Sequence, residues 1–190
     1  MNNLKYPFKE NAVRSLSVSD RISLSGRIIT GRDRVHEKLA GEDKSPVDMR
    51  DGAIYHCGPV AVLRSGRWVI SAAGPTTSSR QEPFMAEIIR RHGVRVIIGK
   101  GGMHKATMEA CRRHGCVYVH VVGGAGAALA ERIVDVCGVH YMESFGPAEA
   151  MWELDVDGME GIVTIDSGGC SLHDDIAEKS ERILETILRG

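Results

Sequence analysis

The chain has 190 residues, with 24 Lys and Arg against 25 Asp and Glu and a formal charge of −1. That length supports one sizeable core, and one domain spanning 1–190 is the expectation. The charge balance leaves no basic footprint for nucleic acid or an acidic membrane surface, so any cationic chemistry must be local.

Five cysteines, an odd number without a close-spaced framework, read as reduced thiols of a cytoplasmic protein. The segment Met1–Tyr6 lacks the apolar run of a signal peptide. The longest apolar stretch, Cys116 to Ala130, is too short and too Gly-rich for a membrane helix.

In chain order, residues 1–20 are polar with little periodicity and read as an N-terminal arm. Asp20–Thr30 alternates polar with apolar and reads as a strand, with Gly26 as a bulge or close approach. Arg32 follows it at a strand-to-helix junction, and residues 34–39 have helical spacing. Ala53–Gly58 and Ala61–Leu63 are strand segments, and Trp68–Ala72 returns on the latter as a hairpin partner. A helix over 80–92, a strand over 94–99, a helix over 103–114 and a strand over 116–122 then alternate, which predicts a βαβ-type core. Gly123–Ala130 opens a helix running into Arg132, and residues 134–143 read as a strand. Gly146–Trp152 reads as a turn opening a short helix, Gly161–Asp166 as a last strand, and Asp174–Leu188 as an amphipathic closing helix.

The stretch Gly74-Pro75-Thr76-Thr77-Ser78-Ser79-Arg80 stands out. Ser78 with Gln81, or Ser79 with Glu82, has capping-box spacing, and Pro83 suits a first helical turn. Arg80 then lies beside unpaired backbone N–H groups, where a carboxylate or phosphate is favoured. A basic residue in that position wants a counter-anion. Lys100, in Ile98-Gly99-Lys100-Gly101-Gly102, lies where a strand passes into a glycine loop that permits close backbone approach. Cations at the exits of neighbouring elements predict a small anionic ligand.

Other motifs fail on inspection. Gly93 to Lys100 lacks phosphate-loop spacing and has Gly101 where Ser or Thr should bind magnesium. Gly124–Leu129 ends in Leu where a dinucleotide fingerprint needs Gly or Ala. Cys111, His114 and Cys116 straddle a helix end without a fourth ligand, so structural use of these cysteines is expected and no metal site is assigned. Trp152 reads as core, and His36 as a helix-surface or supporting histidine.

Five motifs occur in order: Thr30-Gly31-Arg32-Asp33 with His36, Tyr55-His56-Cys57-Gly58-Pro59, the Gly74–Arg80 stretch, Ile98-Gly99-Lys100-Gly101-Gly102-Met103, and Glu149-Ala150-Met151-Trp152. Together they resemble the β subunit of the iron–sulfur class I fumarate hydratase and L-tartrate dehydratase family, over about Ile22 to Gly169. The resemblance implies an α/β fold of the swivelling β/β/α type, with a mixed sheet and flanking helices. It implies a hydro-lyase subunit that is inactive without an α subunit, in an expected α2β2 assembly.

The family's [4Fe–4S] cluster is held by three cysteines of that α subunit, with one iron acting as a Lewis acid on substrate carboxylate and hydroxyl. Carried over by position, Arg32, Arg80 and Lys100 bind substrate carboxylates and Thr76 handles the proton at the reacting carbon. Asp33 and His36 join Thr76 as catalytic-set residues in a supporting role. Gly31 and His104-Lys105 depart from the family pattern and bear on substrate preference. Fumarate hydration to L-malate is the main expectation. L(+)-tartrate dehydration, mesaconate as another substrate, and a non-catalytic dicarboxylate-binding module are the alternatives.

Overall fold

The computed structural model describes residues 1–41 and 44–189. In order, the elements are β1 (Asn2–Lys5), α1 (Glu10–Arg14), β2 (Arg21–Gly31), α2 (Asp33–Gly41), β3 (Ala53–His56), β4 (Val60–Arg64), β5 (Arg67–Ala72), α3 (Glu82–His92), β6 (Val96–Gly99), α4 (Lys105–His114), β7 (Val117–His120), α5 (Gly126–Ala130), β8 (Ile133–His140), α6 (Met142–Phe145), β9 (Met151–Ile165) and α7 (Leu172–Arg189). A 3-10 turn, Ser78–Gln81, precedes α3. The result is a mixed α/β architecture with a mixed sheet and flanking helices, as expected.

The main sheet runs β1-β2-β3-β6-β7-β9-β8, and β2 also pairs with β9. Strands β2, β3, β6 and β7 are parallel neighbours. The long strand β9 runs antiparallel to β7 on one side and to β2 on the other. Those two pairings close β2, β3, β6, β7 and β9 into a ring, which leaves no free edge among them.

Alternation along each strand then divides the apolar residues between two cores. Ile22, Leu24, Ile28, Tyr55, Val96, Ile98, Val117, Val119, Trp152, Leu154 and Val163 form one cluster. Ile29, Ile54, Ile97 and Tyr118 point the other way, against Leu39 of α2, Met85, Ile88 and Ile89 of α3, and Cys111 of α4.

Each of α3 and α4 stops at a left-handed glycine, Gly93 at φ 66° and Gly115 at φ 67°, a conformation glycine adopts without a Cβ penalty. Gly26 fulfils its expected role: it has φ +99°, sits at a register shift between β2 and β9, and a Cβ there would lie 2.7 Å from Tyr6 Cβ.

Three expectations change. The N-terminal arm carries β1, which pairs in parallel with β2, and α1, whose Val13 is fully buried. Met151 and Trp152 open β9 rather than continuing a helix, and the helical turn α6 lies earlier, before Gly146. Trp152 is fully buried, donates Nε1–H to the Pro147 carbonyl at 2.9 Å, and meets Trp68 edge-on at 5.3 Å. It is core, as read. Finally, neither capping box forms, since no side chain caps the 3-10 turn or α3. Glu82 instead reaches α4, accepting from the backbone N–H of His104 (2.8 Å) and Thr107 (3.1 Å) and from Thr107 Oγ1 (2.7 Å). A carboxylate there satisfies orphan donors and complements the helix dipole. No helix among the described residues is long and apolar enough to cross a membrane.

Candidate active site

Parallel strands β2, β3 and β6 end side by side, and the candidate residues sit just past their carboxyl ends, the usual ligand position in such sheets. Arg32 follows β2, Cys57 follows β3 and Lys100 follows β6. The Gly74–Arg80 stretch is laid across these ends. Pro75 bridges to Cys57 and Thr77 to Lys100. The fully buried Tyr55 hydroxyl donates to the Ala73 carbonyl, fixing the entry to the stretch. Thr76 N–H donates to the His56 carbonyl at 2.7 Å, and Ser78 N–H to the Lys100 carbonyl at 3.3 Å. Local sequence alone would leave a glycine–proline turn free; these backbone bonds hold it.

Thr76, Arg80 and Asp33 make a contiguous polar set. Arg80 Nη2 donates to Thr76 Oγ1 at 2.9 Å and pairs with Asp33 Oδ2 at 3.1 Å. Asp33 Oδ1 accepts from Gln81 Nε2 at 2.9 Å. Asp33 therefore orients the guanidinium, and the guanidinium places positive charge against the threonine hydroxyl. The Arg80 and Asp33 side chains are 47% and 43% exposed, so unused guanidinium N–H groups face solvent.

Arg32 Nε lies 3.1 Å from Glu149 Oε1, yet that N–H is buried and not aligned for a hydrogen bond. The contact is charge pairing, with Glu149 Oε2 accepting from the Arg34 backbone N–H at 3.2 Å. Gly58 makes room for this arginine: a Cβ there would lie 2.6 Å from Arg32 Cδ and 2.3 Å from the Ala148 carbonyl oxygen. Lys100 is half-buried, and its stem passes over Gly123, where a Cβ would stand 3.3 Å from Lys100 Cδ.

His36 differs from the others. Its ring is fully buried, with Nδ1 2.8 Å from the Arg32 carbonyl and the His56 ring edge-on at 4.8 Å. Burial lowers its pKa to about 4, against the opposing effects of its bond to Arg32 and the charge of Asp33. It is buried beneath the candidate residues rather than lying on the helix surface. His56, Ser78, Tyr118, Gln81 and Glu149 were not named as site residues by sequence reasoning, which read Ser78 and Gln81 only as a capping pair. Each contributes by a contact distant in the chain, and only the quoted motifs Tyr55–Pro59, Gly74–Arg80 and Glu149–Trp152 hinted at three of them.

Comparison with known proteins decides the family. The family model described as Fumarase C-terminus matches residues 2–176. This chain belongs to the fumarase C-terminus family. A family relative from Geobacillus stearothermophilus, named as a fumarate hydratase class I, is 45% identical over 178 residues. That alignment covers 93% of this chain but 34% of the relative, so the chain spans about a third of that protein. The L(+)-tartrate dehydratase subunit beta of Escherichia coli K12 is 34% identical over 191 residues, covering 97% of this chain and 94% of the relative. A Methanocaldococcus jannaschii relative named for the same subunit is 36% identical over 172 residues, covering 88% of each.

Metal-holding capacity is a separate matter. Cys57, Cys111 and Cys116 are buried, while Cys137 and Cys170 are exposed. Among the described residues no three His, Cys, Asp or Glu side chains gather as a metal would require. Burial raises the Cys57 thiol to about 12, so it is held as a thiol and not as a ligand-ready thiolate. These residues do not fit an iron–sulfur cluster.

Proposed function

We propose that this chain is the β subunit of a hydro-lyase that reversibly hydrates fumarate to L-malate, completed by an α subunit that holds the [4Fe–4S] cluster. The single observation that carries this reading is that Arg32 and Lys100 follow the carboxyl ends of β2 and β6 while the Gly74–Arg80 stretch, laid across the strand ends, sets Arg80 against Thr76. In a chain of nearly balanced charge, cations placed at one end of the sheet call for a multiply charged anion. The higher identity to the fumarate-hydratase relative, 45% against 34–36% for the tartrate-dehydratase ones, favours fumarate. L(+)-tartrate is the second reading. The openness of the face fits a site completed by another subunit, in a proposed α2β2 assembly within the cytoplasm.

The chemistry of the chain's own residues follows from their geometry. Arg32, Arg80 and Lys100 fix a dicarboxylate through charge-assisted hydrogen bonds. In the dehydration direction, Thr76 Oγ1, as its alkoxide, takes the proton from the carbon beside a carboxylate and becomes the hydroxyl, while the hydroxide leaving the neighbouring carbon would go to the Lewis acid that the α subunit's cluster supplies. Negative charge then builds on that carboxylate, where the cations already lie, so they stabilise the transition state more than the ground state. A threonine hydroxyl is a weak base, and the Arg80 N–H donated to Oγ1 favours its deprotonated form. Cluster and cluster ligands belong to the α subunit, and water is excluded only when that subunit covers the face.

Monomethyl fumarate tests the two-carboxylate requirement, since esterification deletes one charge at nearly constant shape. The assembled enzyme should turn it over with kcat/KM about 100-fold below that for fumarate, a loss in line with charge-assisted hydrogen bonds left unmade. Equal kcat/KM for acid and ester would refute it. Fumarate binding by the isolated chain at full affinity, with no turnover in an assembled complex, would instead establish the dicarboxylate-binding module.

A further inference from the structure

The ion pair of Arg80 with Asp33 is half-exposed, with side chains 47% and 43% accessible. Pairs of that kind, left alone, allow two side chains to sample many geometries and fix little. The contact with Thr76 nonetheless requires one geometry. A single Arg80 nitrogen, Nη2, lies 3.1 Å from Asp33 Oδ2 and donates to Thr76 Oγ1 at 2.9 Å.

Gln81 is the buried group that touches this pair from below. It ends the 3-10 turn Ser78–Gln81 and is fully buried. Its Nε2 donates to Asp33 Oδ1 at 2.9 Å, across 48 positions of the chain. The orientation of the amide follows from its partner: an ionised carboxylate only accepts, so the end turned towards it is the NH2. Asp33 opens α2 and Gln81 leads directly into α3, so the bond ties the two helix starts together.

The far end of the amide is the second observation. Gln81 Oε1 is buried and has no hydrogen-bond partner among the described residues. An unpaired carbonyl in the interior is costly, and an aliphatic side chain of similar size would fill the space without that cost. The amide's one side-chain bond among the described residues is the bond to Asp33, and packing alone does not account for it. Groups left unsatisfied in this way belong where geometry matters more than stability.

We infer that Gln81 is a positioning residue, which fixes Asp33 from the interior and through it holds the Arg80 guanidinium against Thr76 Oγ1. The inference rests on the proposed roles of Arg80 and Thr76, and it goes further by naming the buried group that sets their geometry.

Two readouts test it, one of them without substrate. In the uniformly 15N-labelled full chain at pH 6.5, the Arg80 Nε–H, assigned by its loss in Arg80→Lys, should have the 15N relaxation of an ordered group. In Gln81→Leu it should become mobile on the nanosecond scale. In the assembled enzyme, Gln81→Leu should lower kcat/KM about tenfold, the loss expected of a hydrogen bond to a charged group. The loss should fall chiefly on kcat, because Arg80 keeps its charge near the substrate but not its fixed place at Thr76. The thermal midpoint should equal or exceed the parent's, since the orphan carbonyl leaves with the donor; a purely structural glutamine predicts the reverse, a lower midpoint and unchanged kcat/KM. In an Asp33→Ala background Gln81→Leu should cost nothing further, as residues acting in series are not additive. Gln81→Met is read the same way should Gln81→Leu fail to fold.

An Arg80 Nε–H equally ordered with and without Gln81, unchanged kcat/KM in a folded variant, or a full additional loss on top of Asp33→Ala overturns the inference. Because Arg80 mobility is read without substrate, the two proposals fail separately. Unaltered Arg80 order in an active enzyme sinks the role of Gln81 alone. An Arg80 released by Gln81→Leu, in an assembled enzyme that acts on neither fumarate nor L(+)-tartrate, upholds that role and sinks the proposed function.

Discussion

Arg80→Ala should lower kcat/KM of the assembled enzyme by about 10²- to 10³-fold, the loss typical of removing one donor aimed at developing charge. Two effects combine in that variant. The guanidinium that meets Thr76 Oγ1 at 2.9 Å is gone, so the hydroxyl loses the positive charge that favours its deprotonated form. Asp33, now without its cation at 3.1 Å, is left as a carboxylate beside the incoming dianion. Repulsion should therefore raise KM while the loss at Thr76 lowers kcat. Arg80→Lys keeps the charge but not the planar fork, and should recover only part of the activity. The exposure of the Arg80 side chain means the fold itself should tolerate both changes, with thermal midpoints close to that of the parent chain. Steady-state kinetics under anaerobic conditions check this. A folded Arg80→Ala within threefold of the parent enzyme would remove Arg80 from the site.

Acid should weaken the fold well before its carboxylates titrate, and His36 gives the sign. Its folded-state pKa of about 4 lies below the ordinary value of 6.5. Above pH 6.5 neither folded nor unfolded chain binds a proton there, and nothing is lost. Between pH 6.5 and 4 the unfolded chain binds one and the folded chain does not, so stability falls as pH falls. The loss is about 1.4 kcal/mol per pH unit, or about 3 kcal/mol across the whole window. His56, likewise depressed by burial and by His36, acts in the same direction. Against a typical total of about 5–15 kcal/mol, this is a large fraction. Urea midpoints at pH 7.5, 6.0 and 5.0 should decline steadily, and a folded His36→Asn should show a shallower decline. Midpoints that stay level from pH 7.5 to 5.0 would mean that His36 is charged or solvated in the folded chain.

The parts of this molecule that were legible in the sequence are those set by local pattern. The alternation of 20–30 marks β2, the turn at Arg64–Arg67 marks the β4–β5 hairpin, and the helical spacing of Phe84, Ile88 and Ile89 marks α3. Closure of the sheet was not legible, because it depends on β9 pairing with β2, more than a hundred residues earlier. Trp152 shows how the local signal loses. Gly146-Pro147 suits a helix start, yet a buried indole filling the ring beside Trp68 holds the segment extended, and the alternation of Trp152-Glu153-Leu154-Asp155 agrees with that strand. The site divides the same way. Arg32 and Lys100 follow strand ends and Arg80 lies in the turn before α3, so their positions in the fold were readable. Ser78, His56 and Tyr118 were not, since their meeting joins residues 22 and 40 positions apart and each is an unremarkable buried polar residue until the partners are seen.

The most direct test of a site divided between two subunits is anaerobic fumarate hydration by this chain alone, by the cluster-loaded α subunit alone, and by their mixture. Absorbance of fumarate and formation of L-malate would be followed in each. The mixture should be active and both separate chains inactive, with L(+)-tartrate turned over more slowly than fumarate. Full activity of the α subunit without this chain, or a demonstrably assembled complex that acts on neither fumarate nor L(+)-tartrate, would contradict it.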